Sequence, residues 1–389
     1  MDFELIFVWV ITGVSCAYII IMAIFTYGLT RIRRSHIAPI QSRFDKTPPR
    51  VSVIIPVRNE SLNIRNCLDD MLMQDFPKEQ MEILVADDNS EDHTLSLVQL
   101  FMKQHPEFPV SIIIFPGNLL DEPGKKGAIS RSVMAATGEL VITTDADTRR
   151  GPSWISAMVK AYTHGRFQML LGPVALQNET NLLQKIQSLE LMGLIGTTAA
   201  ATYFRIPLMC NGANLAYRRS AFIDAGGFKG NRHLASGDDV FLLAGIRKQY
   251  GANSIGFVFD RKASVFTEGE ATFGGFLNQR LRWVSKSRGY KEKGIISMAV
   301  LTWLTHFLLL TGMLIGMFHP IVLVFSLGLW LGKILVEYTM VRMMSIFFDK
   351  KDLLGYYFIA QVFQLIYVVL IGISGNLFPY SWKGRKLRH

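Results

Sequence analysis

The chain has 389 residues, of which 50% are hydrophobic and 19% charged, and its 41 Lys and Arg exceed its 31 Asp and Glu by a formal charge of +10. A composition this apolar is unusual for a soluble globular protein and indicates membrane segments. The positive excess agrees better with membrane topology and attraction to anionic lipid than with nucleic-acid binding, because the sequence has no zinc-binding or RNA-binding motif. Cys16, Cys67 and Cys210 are too scattered for a disulfide framework or a thiolate metal site.

The first predicted element is a membrane anchor. No charged residue occurs between Leu5 and Thr30, and about 20 apolar residues are enough to cross a bilayer as a helix. The run is too long for a secretory signal and has no convincing small-residue cleavage site, so we interpret residues 1–30 as a retained transmembrane helix. A basic linker, 31–49, follows it, and the positive-inside rule places residues 31 to about 293 in the cytosol.

Four short β-branched runs then alternate with polar stretches that have helical spacing. The runs are residues 51–57, 82–87, 110–115 and 139–145. This alternation predicts an α/β domain with a mostly parallel sheet and helices on both faces. In such sheets ligands bind beyond the carboxyl ends of the strands. The polar segments 58–60, 87–94 and 145–148 each follow a run, so we expect them to meet at one crevice.

Two carboxylates, Asp145 and Asp147, lie at the end of the fourth run with one residue between them. Such a pair at the end of a buried strand can hold a hard divalent cation that bridges phosphate oxygens. The plainer alternative is a solvated turn or a helix cap. Upstream, a predicted Pro-Gly turn precedes Lys125 and Lys126, which can reach a diphosphate, although the spacing is not that of a P-loop.

A second acidic pair, Asp238 and Asp239, falls in the first turn of a predicted helix. The helix dipole stabilises negative charge there, and simple capping explains one aspartate better than two.

The segment "NQRLRW", 278–283, is also predicted to be helical. Gln279, Arg282 and Trp283 are then spaced i, i+3 and i+4, so they share one face. Arginine can bind phosphate with two N–H groups, and an indole can stack on a sugar. The alternative is an amphipathic helix on the membrane surface.

Two more uncharged runs lie near the end of the sequence. The first breaks at His319 and predicts transmembrane helices at 294–318 and 320–342. The second predicts a transmembrane or re-entrant helix at 353–378. Because a full crossing would leave the basic tail, 379–389, outside, we expect a re-entrant or interfacial course and a cytosolic tail.

One charged pair, Lys333 and Glu337, falls within the second of these predicted crossings. Inside a membrane it would face a functional site by default. The plainer alternative is an interfacial pair near the cytosolic end of the helix.

Together these stretches resemble one family. In chain order "VSVIIPVRNE", "DDNSEDHT", "GKKGAIS", "DADT", "GANLAYRR", "GDD" and "QRLRW" look like the membrane-anchored, inverting nucleotide-sugar glycosyltransferases of the GT-A fold, glycosyltransferase family 2. That group resembles cellulose, chitin and hyaluronan synthases and ceramide glucosyltransferase. The resemblance covers about residues 50–290, predicting a cytosolic GT-A domain, and it extends to the flanking membrane helices.

The resemblance implies roles for the donor site. Glu60 and Asp88 would lie at the nucleoside, and Lys125 near the nucleotide or its phosphates. Asp145 and Asp147 match the family's metal-binding pair, which implies Mg²⁺ or Mn²⁺, and Asp145 would also border the donor.

The resemblance implies further roles near the reacting centre. Asp239 matches the catalytic base, and Asp238 stands where the family usually has a glutamate. The polar members of the "QRLRW" motif would contact the diphosphate, and its indole would border the acceptor sugar; these are Gln279, Arg280, Arg282 and Trp283. Ser130 departs from the asparagine often found at its position, which puts one polar contact in doubt.

The implied function is sugar transfer from a nucleotide-diphosphate sugar, with a UDP-sugar favoured, to an acceptor at the cytosolic membrane face with inversion of the anomeric centre. Few hydrophobic segments are available to thread a polymer, which favours a lipid-linked acceptor over a saccharide. A processive polysaccharide synthase would share every motif. A sugar-nucleotide pyrophosphorylase is disfavoured by "QRLRW" and the anchors, and a non-enzymatic membrane scaffold by the intact charged motifs. We expect a multi-pass protein of the bacterial inner membrane with a cytoplasmic catalytic domain.

Overall fold

The computed structural model describes residues 3–35, 48–114, 124–229, 237–285, 292–375, 380–382 and 385–387. The chain divides into two compact units. We call the first the helical unit; it comprises Met1–Ile32, Asn178–Ala201 and Gly269–His389. The second, the sheet unit, comprises Arg33–Gln177 and Thr202–Glu268. Most of the expected basic linker and part of the expected basic tail lie outside the described residues.

The sheet unit contains alternating strands and helices. Its strands are β1 (Val51–Val57), β2 (Met81–Asp87), β3 (Val110–Ile114), β4 (Leu140–Thr143), β5 (Arg149–Arg150), β6 (Met169–Leu171), β7 (Val174–Gln177), β8 (Leu215–Arg218), β9 (Ile255–Phe257) and β10 (Val265–Glu268). Its helices are α2 (Ile64–Leu72), α3 (Thr94–Gln104), α4 (Gly124–Ala135), α5 (Trp154–Gly165), α7 (Arg219–Asp224) and α8 (Asp238–Tyr250).

The main sheet has seven strands in the order β3-β2-β1-β4-β8-β6-β9. The first four are parallel, as expected from the alternation of strands and helices. Strand β8 runs antiparallel to both β4 and β6, so the sheet is mixed. The α/β fold class is confirmed. A smaller sheet has the order β5-β10-β7.

Strand register brings the polar segments of the sequence to one edge. Val57 at the end of β1 pairs with Asp87 at the end of β2, and Ile54 of β1 pairs with Thr143 at the end of β4. Because these strands are parallel, the loops that begin at Arg58, Asp88 and Thr144 leave the same edge of the sheet. Strand β1 itself is almost wholly buried, which explains its continuous apolar run.

The helical unit contains the long apolar helices and the shorter, more polar α9. Its helices are α1 (Phe3–Ser35), α6 (Leu182–Tyr203), α9 (Phe273–Ser285), α10 (Lys293–Ile315), α11 (Pro320–Phe348) and α12 (Tyr357–Ser374), and they are followed by the short strands β11 (Tyr380–Trp382) and β12 (Arg385–Leu387). Within the residues that the structure describes, four helical segments are long and apolar enough to cross a membrane: Phe3–Arg34, Lys293–Ile315, Pro320–Phe348 and Lys351–Ser374. The expected break at His319 is present, since Pro320 begins α11, where proline is tolerated.

A network of buried polar side chains joins three helices of this unit. Lys333 of α11 donates to Glu337 one turn along (Nζ–Oε2 3.0 Å) and to Gln361 of α12 (Nζ–Oε1 2.8 Å). Tyr18 of α1 donates to the other Glu337 oxygen at 2.6 Å. The Lys333 and Glu337 side chains are only 1% and 9% exposed. Because a buried charge is costly when it is unpaired, the network fixes α1, α11 and α12 in one relative register.

Removing one charge of this pair should destabilise the helical unit. We expect Lys333→Met to leave Glu337 buried without its cation, at a cost of about 3 kcal/mol. The double variant Lys333→Met/Glu337→Gln has neither charge and keeps an acceptor for Tyr18, so most of that loss should be recovered. Thermal unfolding in detergent micelles measures both variants. A single variant as stable as the parent protein would contradict the expectation.

Candidate active site

The turn that follows β4 is held by a buried arginine. Thr148 donates its hydroxyl to the Asp145 carbonyl at 2.7 Å, and Arg150 donates to both Thr148 oxygens at 2.5 Å. Arg150 is fixed in turn by Asp70 of α2, which accepts its backbone N–H at 3.0 Å. The turn that carries Asp145 and Asp147 therefore has its backbone conformation set by neighbouring side chains.

Lys125 of α4 lies beside carboxylates from two separate segments. Its Nζ is 2.6 Å from Oδ1 of Asp145 and 3.6 Å from Oδ2 of Asp238. Burial alone would lower the pKa of Lys125, but the charges of Asp145, Asp238 and Asp239 raise it above its ordinary value, so the ammonium stays charged. The Lys125 and Asp145 side chains are 21% and 32% exposed. The pair is therefore accessible to a ligand.

Gly212 lies against the same carboxylates. Its backbone N–H donates to Oδ2 of Asp239 at 3.3 Å, and the Val240 N–H donates to Oδ1 at 2.9 Å. A Cβ added at Gly212 would be 3.2 Å from Oδ2 of Asp238 and 3.6 Å from Nζ of Lys125. A residue with a side chain would compete for the space beside the acidic groups. Glycine leaves that space open and lets the backbone orient Asp239.

Helix α8 begins at Asp238, so both aspartates lie in its first turn as predicted. Gly237 is the N-cap residue with a φ of 88°, in the left-handed region that favours glycine. Glycine has no side chain with which to cap the helix, and Asp239 in the first turn accepts the Val240 N–H at 2.9 Å. The helix dipole still favours two negative charges at this end.

The residues expected at the nucleoside are buried at the ends of β1 and β2. Arg58 donates to the Asp88 carbonyl at 2.7 Å, which links the two loops. Glu60 accepts from the Asn63 amide at 2.8 Å, and its own backbone N–H donates to Thr94 at 2.8 Å. Glu60 and Asp88 are 7% and 8% exposed. These loops leave the same sheet edge as the turn that carries Asp145.

The members of the "QRLRW" motif lie on α9, which is helical as predicted. Arg280 donates to Glu190 of α6 at 2.5 Å and to the side chain of Gln279 at 2.7 Å. Its guanidinium carbon is 4.2 Å from the ring centroid of Trp283. Arg282 is partly buried. This motif therefore belongs to the helical unit. Lys125, Asp145 and Asp238, which we call the Lys125 cluster, belong to the sheet unit.

The carboxylates after β4 fit a hard divalent cation. Asp145 is partly exposed and Asp147 is exposed. Within the described part of the chain, no three His, Cys, Asp or Glu side chains form a group that could hold a metal by themselves. Mg²⁺ is commonly held by one or two carboxylates together with substrate phosphates. The donor set therefore fits Mg²⁺ or Mn²⁺ bound with a nucleoside diphosphate rather than an all-protein cage.

Sequence reasoning did not predict the side-chain hydrogen bonds that hold the acidic turn and the segment around Asn214 in place. Arg149 donates to both carboxylate oxygens of Asp70 at 2.8 and 2.7 Å, so the paired arginines after the acidic turn anchor it to α2. Asn214 accepts from the indole N–H of Trp154 at 3.0 Å and donates to two backbone carbonyls at 2.8 Å. The Arg pair and the "GAN" segment were visible signals, but their partners are distant in sequence.

Two family models match the chain. One, described as glycosyl transferase family 2, covers residues 52–226, and the other, glycosyl transferase family group 2, covers residues 140–374. The second match spans more than half of the chain. With a mixed α/β sheet and an acidic cluster at the strand ends, these matches define the class of protein. The chain belongs to glycosyl transferase family group 2, and the predicted family is confirmed.

Curated relatives are similar over part or most of the chain. An N-acetylglucosaminyltransferase of Rhizobium meliloti is 27% identical over 252 residues, which are 60% of this chain and 55% of that protein. A poly-beta-1,6-N-acetyl-D-glucosamine synthase of Staphylococcus epidermidis is 20% identical over 369 residues, 86% of this chain and 84% of that protein. For three relatives with higher identity, the match spans only 24% to 60% of their length.

A solved structure has the same fold. A mannosyltransferase of Pyrobaculum calidifontis, in complex with GDP-Man and Mn²⁺, superimposes with a TM-score of 0.52 at 17% sequence identity. The match covers 94% of this chain and 98% of that chain. It confirms the predicted GT-A fold with additional helices.

The Lys125 cluster generates a stability prediction. Lys125→Met would leave the carboxylates of Asp145 and Asp238 next to each other without their ammonium. We expect it to cost about 1–3 kcal/mol and to lower the apparent unfolding temperature by several degrees. Lys125→Arg keeps the charge and serves as the matched control. Thermal unfolding in detergent compares the three proteins, and unchanged unfolding of Lys125→Met would show that the carboxylates do not need this counter-ion.

Proposed function

We propose that this protein transfers a sugar from a nucleoside-diphosphate sugar, with a UDP-sugar as the favoured donor, to a lipid-linked acceptor. Transfer inverts the anomeric centre and takes place at the cytosolic face of a membrane. The four long apolar helices support a multi-pass arrangement in the bacterial inner membrane with a cytoplasmic catalytic domain. The arginines at the end of α1 support the same orientation.

The observation that carries the proposal is the convergence of Lys125 with carboxylates from two loops. A nucleoside diphosphate needs positive charge around its phosphates and acceptors around its ribose and base. Lys125 supplies an ammonium at the strand ends, and the buried Glu60 and Asp88 supply acceptors at the same edge. By resemblance, Gln279 and Arg282 of α9 contribute further contacts to the diphosphate.

The chemistry requires the leaving nucleotide to be neutralised. Asp145 and Asp147 would hold Mg²⁺ or Mn²⁺, and the metal when bound supplies charge neutralisation on the diphosphate oxygens. Lys125 shares that task through its ammonium, which the surrounding carboxylates keep charged. Gly212 has no side chain, so a substrate group can approach the carboxylates between Lys125 and α8.

Asp239 is the proposed general base. Both of its oxygens accept a backbone N–H, from Gly212 and Val240, which orients the carboxylate. An ionised carboxylate oriented in this way can accept the proton of an acceptor hydroxyl. Asp238 instead faces Lys125 at 3.6 Å, so the two neighbouring aspartates are directed to different tasks.

A second candidate function is processive synthesis of a polysaccharide. The observation that favours it is the similarity over 86% of this chain to a poly-beta-1,6-N-acetyl-D-glucosamine synthase. A saccharide would then be the acceptor and remain bound between additions. The motifs of the two candidates are the same. Product length after incubation with the nucleotide sugar separates them, because only the synthase yields long chains.

The proposed function is tested with full-length protein purified in detergent. UDP-N-acetylglucosamine and UDP-glucose are supplied with a lipid extract, and released UDP and modified lipid are measured by coupled assay and mass spectrometry. We expect sugar-modified lipid, release of UDP rather than pyrophosphate, and no turnover when a chelator is in excess. Full turnover in excess chelator would contradict the metal assignment. Release of pyrophosphate would identify a nucleotidyl transfer instead.

A pair of variants tests the base. Asp239→Asn preserves shape and can keep the contact with the Gly212 backbone, so the protein should fold and bind UDP. We expect transfer to fall by about 10²-fold or more, because an amide cannot accept the proton. Asp238→Glu keeps the negative charge beside Lys125 and should retain substantial activity. UDP affinity and sugar transfer are measured on both. Near-normal transfer by Asp239→Asn would show that Asp239 is not the general base.

A further inference from the structure

A cluster within the helical unit uses the guanidinium of Arg280 for internal contacts. Arg280 is 6% exposed, and its Nη2 donates to Oε2 of Glu190 at 2.5 Å. Its Nη1 donates to the side-chain oxygen of Gln279 at 2.7 Å. The guanidinium carbon lies 4.2 Å from the ring centroid of Trp283 and 4.7 Å from that of Phe276. Both terminal nitrogens and the flat face of Arg280 are thus engaged by protein groups.

The same cluster includes an apolar helix. Glu190 of α6 accepts a second hydrogen bond, through Oε1, from the hydroxyl of Tyr367 on α12. The Tyr367 ring meets Phe276 of α9 edge-on, with centroids 5.3 Å apart. Glu190 therefore links α12 to α9. Tyr367, Glu190 and Arg280 form a chain of contacts that ends on the indole of Trp283.

A cation 4.2 Å from an indole centroid is at an effective cation–π distance. The interaction is stronger where water is excluded, as it is around Arg280. Arg280 and Trp283 are one helical turn apart, so the contact selects one orientation of the indole relative to α9. Glu190 holds the guanidinium in place for that contact. Charge-assisted hydrogen bonds from both terminal nitrogens, Nη1 and Nη2, restrict rotation of the guanidinium.

We propose that Arg280 is a positioning residue that orients Trp283, and that α12 sets this orientation through Tyr367 and Glu190. Arg280 acts through the indole and does not contact the diphosphate, which departs from the role implied by the resemblance. Its consequence for the reaction rests on the proposed function, in which Trp283 borders the acceptor sugar. The neighbouring Arg282 keeps the proposed diphosphate contact.

The test uses full-length protein in detergent and two readouts. The first is the environment of Trp283, obtained as the difference in fluorescence between each variant and its Trp283→Phe counterpart, since the chain has six tryptophans. The second is the affinity for UDP in the presence of Mg²⁺, measured by calorimetry. The variants are Arg280→Lys, which keeps the charge but loses the planar fork, and Glu190→Gln, which leaves Arg280 intact. Tyr367→Phe is a milder third variant that removes one hydroxyl.

We expect Arg280→Lys and Glu190→Gln to shift the Trp283 emission in the same direction, and the double variant to add little, because both changes break one chain of contacts. UDP affinity should stay within about twofold, whereas Arg282→Lys should weaken it by about tenfold through loss of a bidentate contact. Sugar transfer by Arg280→Lys should fall with UDP affinity unchanged. Tyr367→Phe should produce a smaller shift of the same sign.

Two results would overturn the proposal. One is an unchanged Trp283 spectrum in Arg280→Lys. The other is a tenfold loss of UDP affinity in Arg280→Lys that Glu190→Gln does not share, which would place Arg280 on the donor. Failure of the parent protein to bind UDP would instead contradict the proposed function. The fluorescence comparison would still report whether Arg280 orients the indole.

Discussion

The sheet unit depends on one electrostatic constraint, which is that Lys125 must neutralise carboxylates that arrive from two different loops. Asp145 follows a parallel strand, and Asp238 begins a helix. Without the ammonium between them, two negative charges would be held close together in a partly desolvated site. Lys125 Nζ lies 2.6 Å from Asp145 and 3.6 Å from Asp238. These contacts hold the loop after β4 next to the start of α8. Gly212 lies against these same groups, where a Cβ would be 3.2 Å from Oδ2 of Asp238.

The acidic turn can carry this charge because its backbone is supported separately. Arg150 and Asp70 fix the turn through backbone and hydroxyl groups. Sites in which supporting residues and reacting residues are different hold their geometry when a ligand binds. This division explains why the paired arginines directly follow the paired aspartates.

The parts of the fold that the sequence predicts depend on local residue patterns. The parts that it does not predict depend on contacts between residues that are distant in sequence. Strand β1 was predicted at its observed bounds, because a buried parallel strand has a continuous apolar run. The antiparallel insertion of β8 between β4 and β6 was not, because strand order depends on long-range pairing. Likewise, Lys125, Asp145 and Asp238 were identified as candidates, but their pairing was not visible in the sequence. The partners Glu190 and Tyr367 of Arg280 carry no local motif.

The clusters around Lys333 and Lys125 differ in how far their charged side chains are exposed. In the helical unit, Lys333 is 1% exposed and donates to Glu337 and two glutamine side chains, so its hydrogen-bonding capacity is filled by protein. Lys125 makes a shorter contact, yet its side chain is 21% exposed and that of Asp145 is 32% exposed. A filled and buried network favours one helix arrangement. A partly exposed pair keeps carboxylate oxygens and side-chain surface that a ligand can contact. Charge alone therefore does not identify a reactive site, because the exposure of a charged pair must be considered together with its geometry.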